Sequence, residues 1–205
     1  HYPLRRQRQM CIRDSIKGAP VNLKAGELAA DRMRIPTPQP STPEAVASTV
    51  KELIDSFDVD DDMPVGVTFP AIIQHGVAKS AANVDKSWIG TNVDKLFSDI
   101  TGRDVFVVND ADAAGIAEMQ YGAGKDKDGL VIMTTLGTGI GTAMFIDGKL
   151  IPNSELGHLK HEGRSIEKFA ASSVFDREGL TYDDWAKNRL QVFYSCLLYT
   201  SDAAD

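Results

Sequence analysis

Cysteine is nearly absent from this chain: Cys11 and Cys196, both close to the ends, are the only two in 205 residues. That excludes a disulfide framework and a C-x-x-C metal site. No stretch approaches the roughly 18 consecutive apolar residues of a membrane-spanning helix, and no charged-apolar-small leader opens the chain. A cytoplasmic protein without membrane contact is the expectation. Positive charge is short as well, with 22 Lys and Arg against 29 Asp and Glu and a net charge of −7. A nucleic acid held by bulk charge is therefore not an expected partner. Two familiar phosphate fingerprints, G-x-G-x-x-G and G-x-x-x-x-G-K-[ST], do not occur.

The ends carry little folding logic. His1 stands where a methionine is expected, and 1–15 (HYPLRRQRQMCIRDS) has no helical or strand period. The tail, 195–205 (SCLLYTSDAAD), has no cap or turn signal. Both look like translated adapter sequence, so the expectation is a fragment with foreign ends.

What remains is an alternation of strands and helices, which predicts an α/β fold. Ile16 to Leu23 and Ala30 to Ile35 read as an antiparallel pair around Lys24-Ala25-Gly26. Ser41 or Thr42 is placed to cap a helix opened by Pro43. Pro64 to Phe69 reads as a buried parallel strand, and Ala71 to Val77 as a continuation of its sheet through a turn. A polar loop over Ser80 to Gly90 leads to a helix over Thr91 to Thr101, stopped by Gly102. A strand over Asp104 to Asn109 passes into a helix begun by Asp110. Further helices are predicted over Ile166 to Val174 and from Tyr182 to about Phe193.

Three stretches carry chemistry. The apolar run Leu130 to Met133 reaches a corner, Leu136-Gly-Thr-Gly-Ile-Gly141, and leaves as a second apolar run to Ile146. Each glycine there costs about 0.5–1 kcal/mol relative to alanine, a cost accepted for positive φ or for close approach to the backbone. Read alone, the corner is equally an anion-binding loop or an ordinary hairpin. Val105 to Asn109 delivers Asn109 and Asp110 to the carboxyl end of a strand, where α/β folds collect ligands, although Asp110 is also a good helix cap. Glu155-Leu-Gly-His158 invites a metal reading, but Pro152, Gly157 and Gly163 interrupt any helix. Recognition of sugar hydroxyls suits a carboxylate beside an imidazole better, since one accepts and the other donates.

These motifs, in this order and approximate spacing, resemble the ROK family of sugar kinases. The wording of Ser80-Ala-Ala-Asn-Val-Asp-Lys-Ser-Trp-Ile-Gly90 and Ile151-Pro-Asn-Ser-Glu-Leu-Gly-His158 is similar to its polyphosphate glucokinase branch. The resemblance covers roughly 16–194. It implies an actin-like ATPase (ribonuclease H-like) fold, two α/β domains flanking a cleft that holds the active site. It further implies phosphoryl transfer from polyphosphate or ATP, with Mg2+, to the 6-hydroxyl of glucose, and a homodimer.

Carried over by residue, Asp110 matches the general base. Asn83, Asn109, Glu155, His158 and Glu167 match glucose contacts, and Gly137, Thr138 and Gly139 match a phosphate loop. Structural zinc is not expected, because no cysteine cluster follows His158. The first phosphate motif of the family should precede Ile16, where Cys-Ile-Arg-Asp14-Ser15 stands instead. The implied division is a foreign-looking segment over 1–15, an N-terminal α/β domain over 16–110 lacking its first phosphate-binding strand and loop, a truncated C-terminal α/β domain over 111–194, and a foreign-looking tail over 195–205. Little kinase activity is expected of the chain as it stands. Other hexose or N-acylaminosugar kinases of the family, or a sugar-sensing regulator, are the alternatives. Lys125, Lys127, Lys149, Lys160, Arg164 and Lys168 read either as a polyanion track or as scattered solvated residues.

Overall fold

The computed structural model describes residues 15–81 and 84–202, with side chains as far as 198. The chain divides into two compact units, between Asp110 and Ala111.

In the first unit, β1 (Ser15–Gly18) pairs antiparallel with β4 (Met33–Pro36), and Ile16 faces Ile35. Between them β2 (Val21–Asn22) and β3 (Glu27–Leu28) form a separate small ladder. The expected pairing is present but split, because Pro20 has no N–H to extend a ladder and Val21, Leu23 and Leu28 are exposed. Helix α1 (Pro43–Asp55) starts as its sequence requires: Thr42 Oγ1 accepts from the Ala45 amide at 3.4 Å, and proline fills the first turn. Strand β5 (Val65–Phe69) lies parallel to a later strand over Val105–Asn109, in the register Phe69 to Asn109.

The chain after β5 does not extend this sheet. It forms its own hairpin, β6 (Ile73–Gln74) and β7 (Val77–Ala78), turned by His75 and Gly76, both at positive φ. Two consecutive left-handed residues reverse the chain too tightly for it to reach a sheet neighbour. The polar loop that follows hides a core residue: Trp88, in a 3-10 turn over Lys86–Trp88, is fully buried. It packs against Phe69 at 4.4 Å and Phe97 at 6.1 Å between ring centroids. Its indole N–H donates to the Ser41 carbonyl at 2.8 Å, so the polar edge is satisfied as the ring is buried. Asp85 caps that turn, and bonds from the hydroxyl and then the amide of Ser87 hold its carboxyl below the ordinary value. Helix α2 (Val93–Thr101), capped by Asn92 and ended by left-handed Gly102, turns Val93 and Phe97 into the same core. Strand β8 (Val105–Asn109) then passes without a loop into α3 (Asp110–Tyr121).

The second unit is built on an antiparallel sheet: β9 (Leu130–Leu136), β10 (Ile140–Ile146) and β11 (Lys149–Ile151), with β10 central. Asp147 and Gly148, at φ 48° and 74°, make the two-residue turn that their sequence signals. Helix α3 lies against β10 at Gly115, where a Cβ would come within 2.5 Å of the Ala143 methyl. A short hairpin, β12 (Lys160–His161) with β13 (Arg164–Ser165), leads into the helices.

The single helix expected over Ile166 to Val174 is two, α4 (Glu167–Ala170) and α5 (Ser172–Glu178). The break is at Ala171, whose ψ of 159° is extended. The last helix runs from α6 (Tyr182–Trp185) through a π-helical stretch, Ala186–Leu190, into α7 (Gln191–Asp202). It therefore continues beyond Tyr194 into the segment expected to be a foreign-looking tail. Cys196 and Leu197 pack on the cluster of Ile140, Ile166, Ala170, Ala171 and Phe193. Among the described residues no helix is long and apolar enough to cross a membrane.

Candidate active site

The strand end in the first unit is formed as its sequence implies. Asn109 closes β8, is buried, and donates from Nδ2 to the Ala71 carbonyl at 3.2 Å. Part of its polarity thus fastens the turn after β5. Asp110 is exposed at the first residue of α3. Asn83 lies outside the described residues.

In the second unit the remaining residues come together. Glu155 and His158 stand at the two ends of a 3-10 turn over Leu156–His158. The imidazole Nε2 is 3.7 Å from Glu155 Oε2, and Nδ1 is 3.6 Å from Glu167 Oε1. Both separations are longer than hydrogen bonds. Two acceptor groups thus flank one donor ring, a set matched to adjacent sugar hydroxyls. Among the described residues no group of three or more His, Cys, Asp or Glu side chains is arranged to hold a metal ion.

The corner from Leu136 to Gly141 joins β9 to β10 with Leu136 opposite Ile140. Its glycines are absent from the positive-φ glycines, so close approach is what they permit. The approaching group at Gly139 is a side chain of the protein itself: a Cβ there would meet Glu167 Oε2 at 2.6 Å. The corner and the carboxylate beside His158 are therefore immediate neighbours. Gly157 is equally constrained, because a Cβ on it would fall well inside the contact distance of the Ile140 carbonyl oxygen.

Sequence reasoning missed the groups that hold these parts in place. Asp112 is 2% exposed, and its Oδ2 accepts from the Asn153 amide at 2.9 Å. Asn153 has positive φ and begins the loop that carries Glu155. From the other side Thr142, buried on β10, donates its hydroxyl to the Ser154 carbonyl and accepts from the Leu156 amide at 3.0 Å. Ser172 and Ser173 reach the corner: Ser172 Oγ donates to Gly137 O and Ser173 Oγ to Thr138 O, both at 2.7 Å. Asp112 could have been noticed as a second carboxylate within the first turn of the helix. Nothing local marks the two serines.

The fold is that of the actin-like ATPases, shared with the ROK sugar kinases. Residues 13–172 match the model of the ROK family, and the chain belongs to that family. Over 178 residues it is 51% identical to the polyphosphate glucokinase of Mycobacterium tuberculosis (strain ATCC 25177 / H37Ra), covering 86% of this chain and 66% of that protein. The polyphosphate glucokinase of Mycobacterium leprae (strain TN) is 49% identical over 179 residues, 87% of this chain and 55% of that one. The crystal structure of inorganic polyphosphate/ATP-glucomannokinase from Arthrobacter sp. strain KM superposes with a TM-score of 0.82 at 49% identity, covering 91% of this chain and 76% of the other. The chain spans less than two thirds of the length of these mycobacterial relatives.

Proposed function

We propose that this protein is a glucokinase that takes its phosphoryl group from inorganic polyphosphate, ATP or both. The observation that carries the reading is the placement of Glu155 and Glu167 on either side of the His158 imidazole, with Glu167 directly against Gly139 of the corner. A hydroxyl-recognising set beside a backbone loop suited to anions is the arrangement that sugar phosphorylation needs. In this reading Asp110 removes the proton from the 6-hydroxyl. The hydroxyl oxygen forms a bond to the terminal phosphorus, the phosphorus–bridging oxygen bond breaks, and the donor leaves one phosphate shorter. Because the transition state is loose, orienting the nucleophile matters as much as the proton transfer. Asn83 and Asn109 join the sugar contacts, and Thr138 with its flanking glycines faces the transferred group. Mg2+ arrives with the donor, as part of that substrate. Action in the cytoplasm as a homodimer belongs to the same proposal.

Mannose is a second acceptor to consider, since the Arthrobacter relative of comparable identity is a glucomannokinase. Calorimetry with glucose, mannose and N-acetylmannosamine, followed by a coupled turnover assay with tripolyphosphate and ATP on a version of its relatives' full length, tests the reading. Glucose should bind, with mannose equal or weaker. Binding of the acylated sugar alone would move the chain to another kinase of the family, and silence toward all three sugars would end the proposal. Failure of tripolyphosphate to protect against thermal unfolding, where ATP succeeds, would remove polyphosphate as donor.

A further inference from the structure

We infer that Ser172 and Ser173 are positioning residues that aim two backbone amides of the glycine corner at the donor phosphate. The inference rests on the reading of that corner as the phosphate loop and adds how the loop is held. In a trans peptide the C=O and the following N–H point in opposite directions. Ser172 Oγ holds the Gly137 carbonyl at 2.7 Å, with the Ser173 amide on the same oxygen at 3.4 Å. That orientation turns the Thr138 N–H the other way. Ser173 Oγ holds the Thr138 carbonyl at 2.7 Å, which likewise turns the Gly139 N–H away from the helix.

The hydrogen bonds within the corner agree with this polarity. The Gly137 amide is used internally, donating to Gly139 O at 3.0 Å. The amides of Thr138 and Gly139 meet no protein acceptor among the described residues, and Thr138 is exposed. One edge of the corner is thus saturated through its carbonyls, and the other presents two successive N–H groups. Successive amides on one side of a turn form a concave anion site. The break at Ala171 has its reason here: extended backbone there brings both hydroxyls round to the corner.

The test is a nitrogen–proton spectrum of the whole protein titrated with inorganic tripolyphosphate, then with glucose. In the wild type the Thr138 and Gly139 amides should shift on addition of tripolyphosphate. Ser172→Ala should mainly disturb the Thr138 response and Ser173→Ala the Gly139 response. Each should weaken tripolyphosphate by up to about tenfold, the loss of one hydrogen bond. Glucose-induced shifts at Glu155 and His158 should persist in both variants, which also reports that the unit is folded. Ser172→Thr and Ser173→Thr keep the hydroxyl and should restore affinity. Unchanged tripolyphosphate affinity and unchanged amide shifts in both alanine variants would overturn the serine assignment alone. No response of Thr138 or Gly139 in the wild type would overturn it together with the phosphate-loop reading.

Discussion

Asn109-Asp110 and the corner from Leu136 to Gly141 are both places where a strand hands polar groups to a turn, yet they are supported in opposite ways. The first is set by the course of its own backbone. Strand β8 passes straight into α3, so the backbone itself delivers Asn109 at a strand end and Asp110 at a helix start, and the Asn109 side chain donates to the Ala71 carbonyl. The second depends on side chains from the helices well downstream: Ser172 and Ser173 on its carbonyls, and Glu167 against Gly139. A group placed by the local backbone is readable from local sequence. One placed by distant side chains is not.

Asp110→Asn should break the comparison most sharply. Asparagine suits the start of a helix as well as aspartate does, so stability should hold while phosphoryl transfer, measured on a version of its relatives' full length, falls by about 10²–10⁴-fold. Retained turnover in a coupled assay would remove Asp110 from the base role. Gly157→Ala tests the far-built side. Its methyl meets backbone, which cannot swing away, so an unfolding loss of about 1–3 kcal/mol is expected with weakened glucose binding.

Asp112→Ala removes the acceptor of the Asn153 amide and should cost about 1–3 kcal/mol. Asp112→Asn keeps an acceptor and should cost less, and hydrogen exchange at Asn153 separates the two. Gly139→Ala should be the mildest in stability, within about 0.5 kcal/mol, because the atom it meets ends a flexible side chain. Displacing Glu167 from His158 should nonetheless lower glucose affinity, measured by calorimetry. Unaltered affinity would separate the corner from the sugar set.

Much of the architecture was legible because it obeys local rules. Thr42 and Asn92 cap helices, Asp147-Gly148 turns a hairpin, and the apolar runs of β5 and β8 pair in parallel. The failures share a cause. The strand expected to continue past Ala71 became its own hairpin through His75-Gly76, and the helix expected over Ile166 to Val174 broke at Ala171. Alanine favours helix, so its extended backbone there follows from tertiary context, its burial in the second core and the serine contacts to the corner just after it. Trp88 sat in a stretch that reads as polar, and its burial follows from ring contacts with Phe69 and Phe97, not from its neighbours in the chain.

Sequence by itself determined the α/β alternation, the family and the residue types of the candidate site, because helix caps, turn dipeptides and motif spacing act over a few positions. Tertiary structure alone decided that His158 lies between two carboxylates, that Gly139 makes room for one of them, and that two serines hold the corner's carbonyls. The physical reason is that hydrogen bonds and close packing select partners by distance in space, which no local pattern of residues encodes.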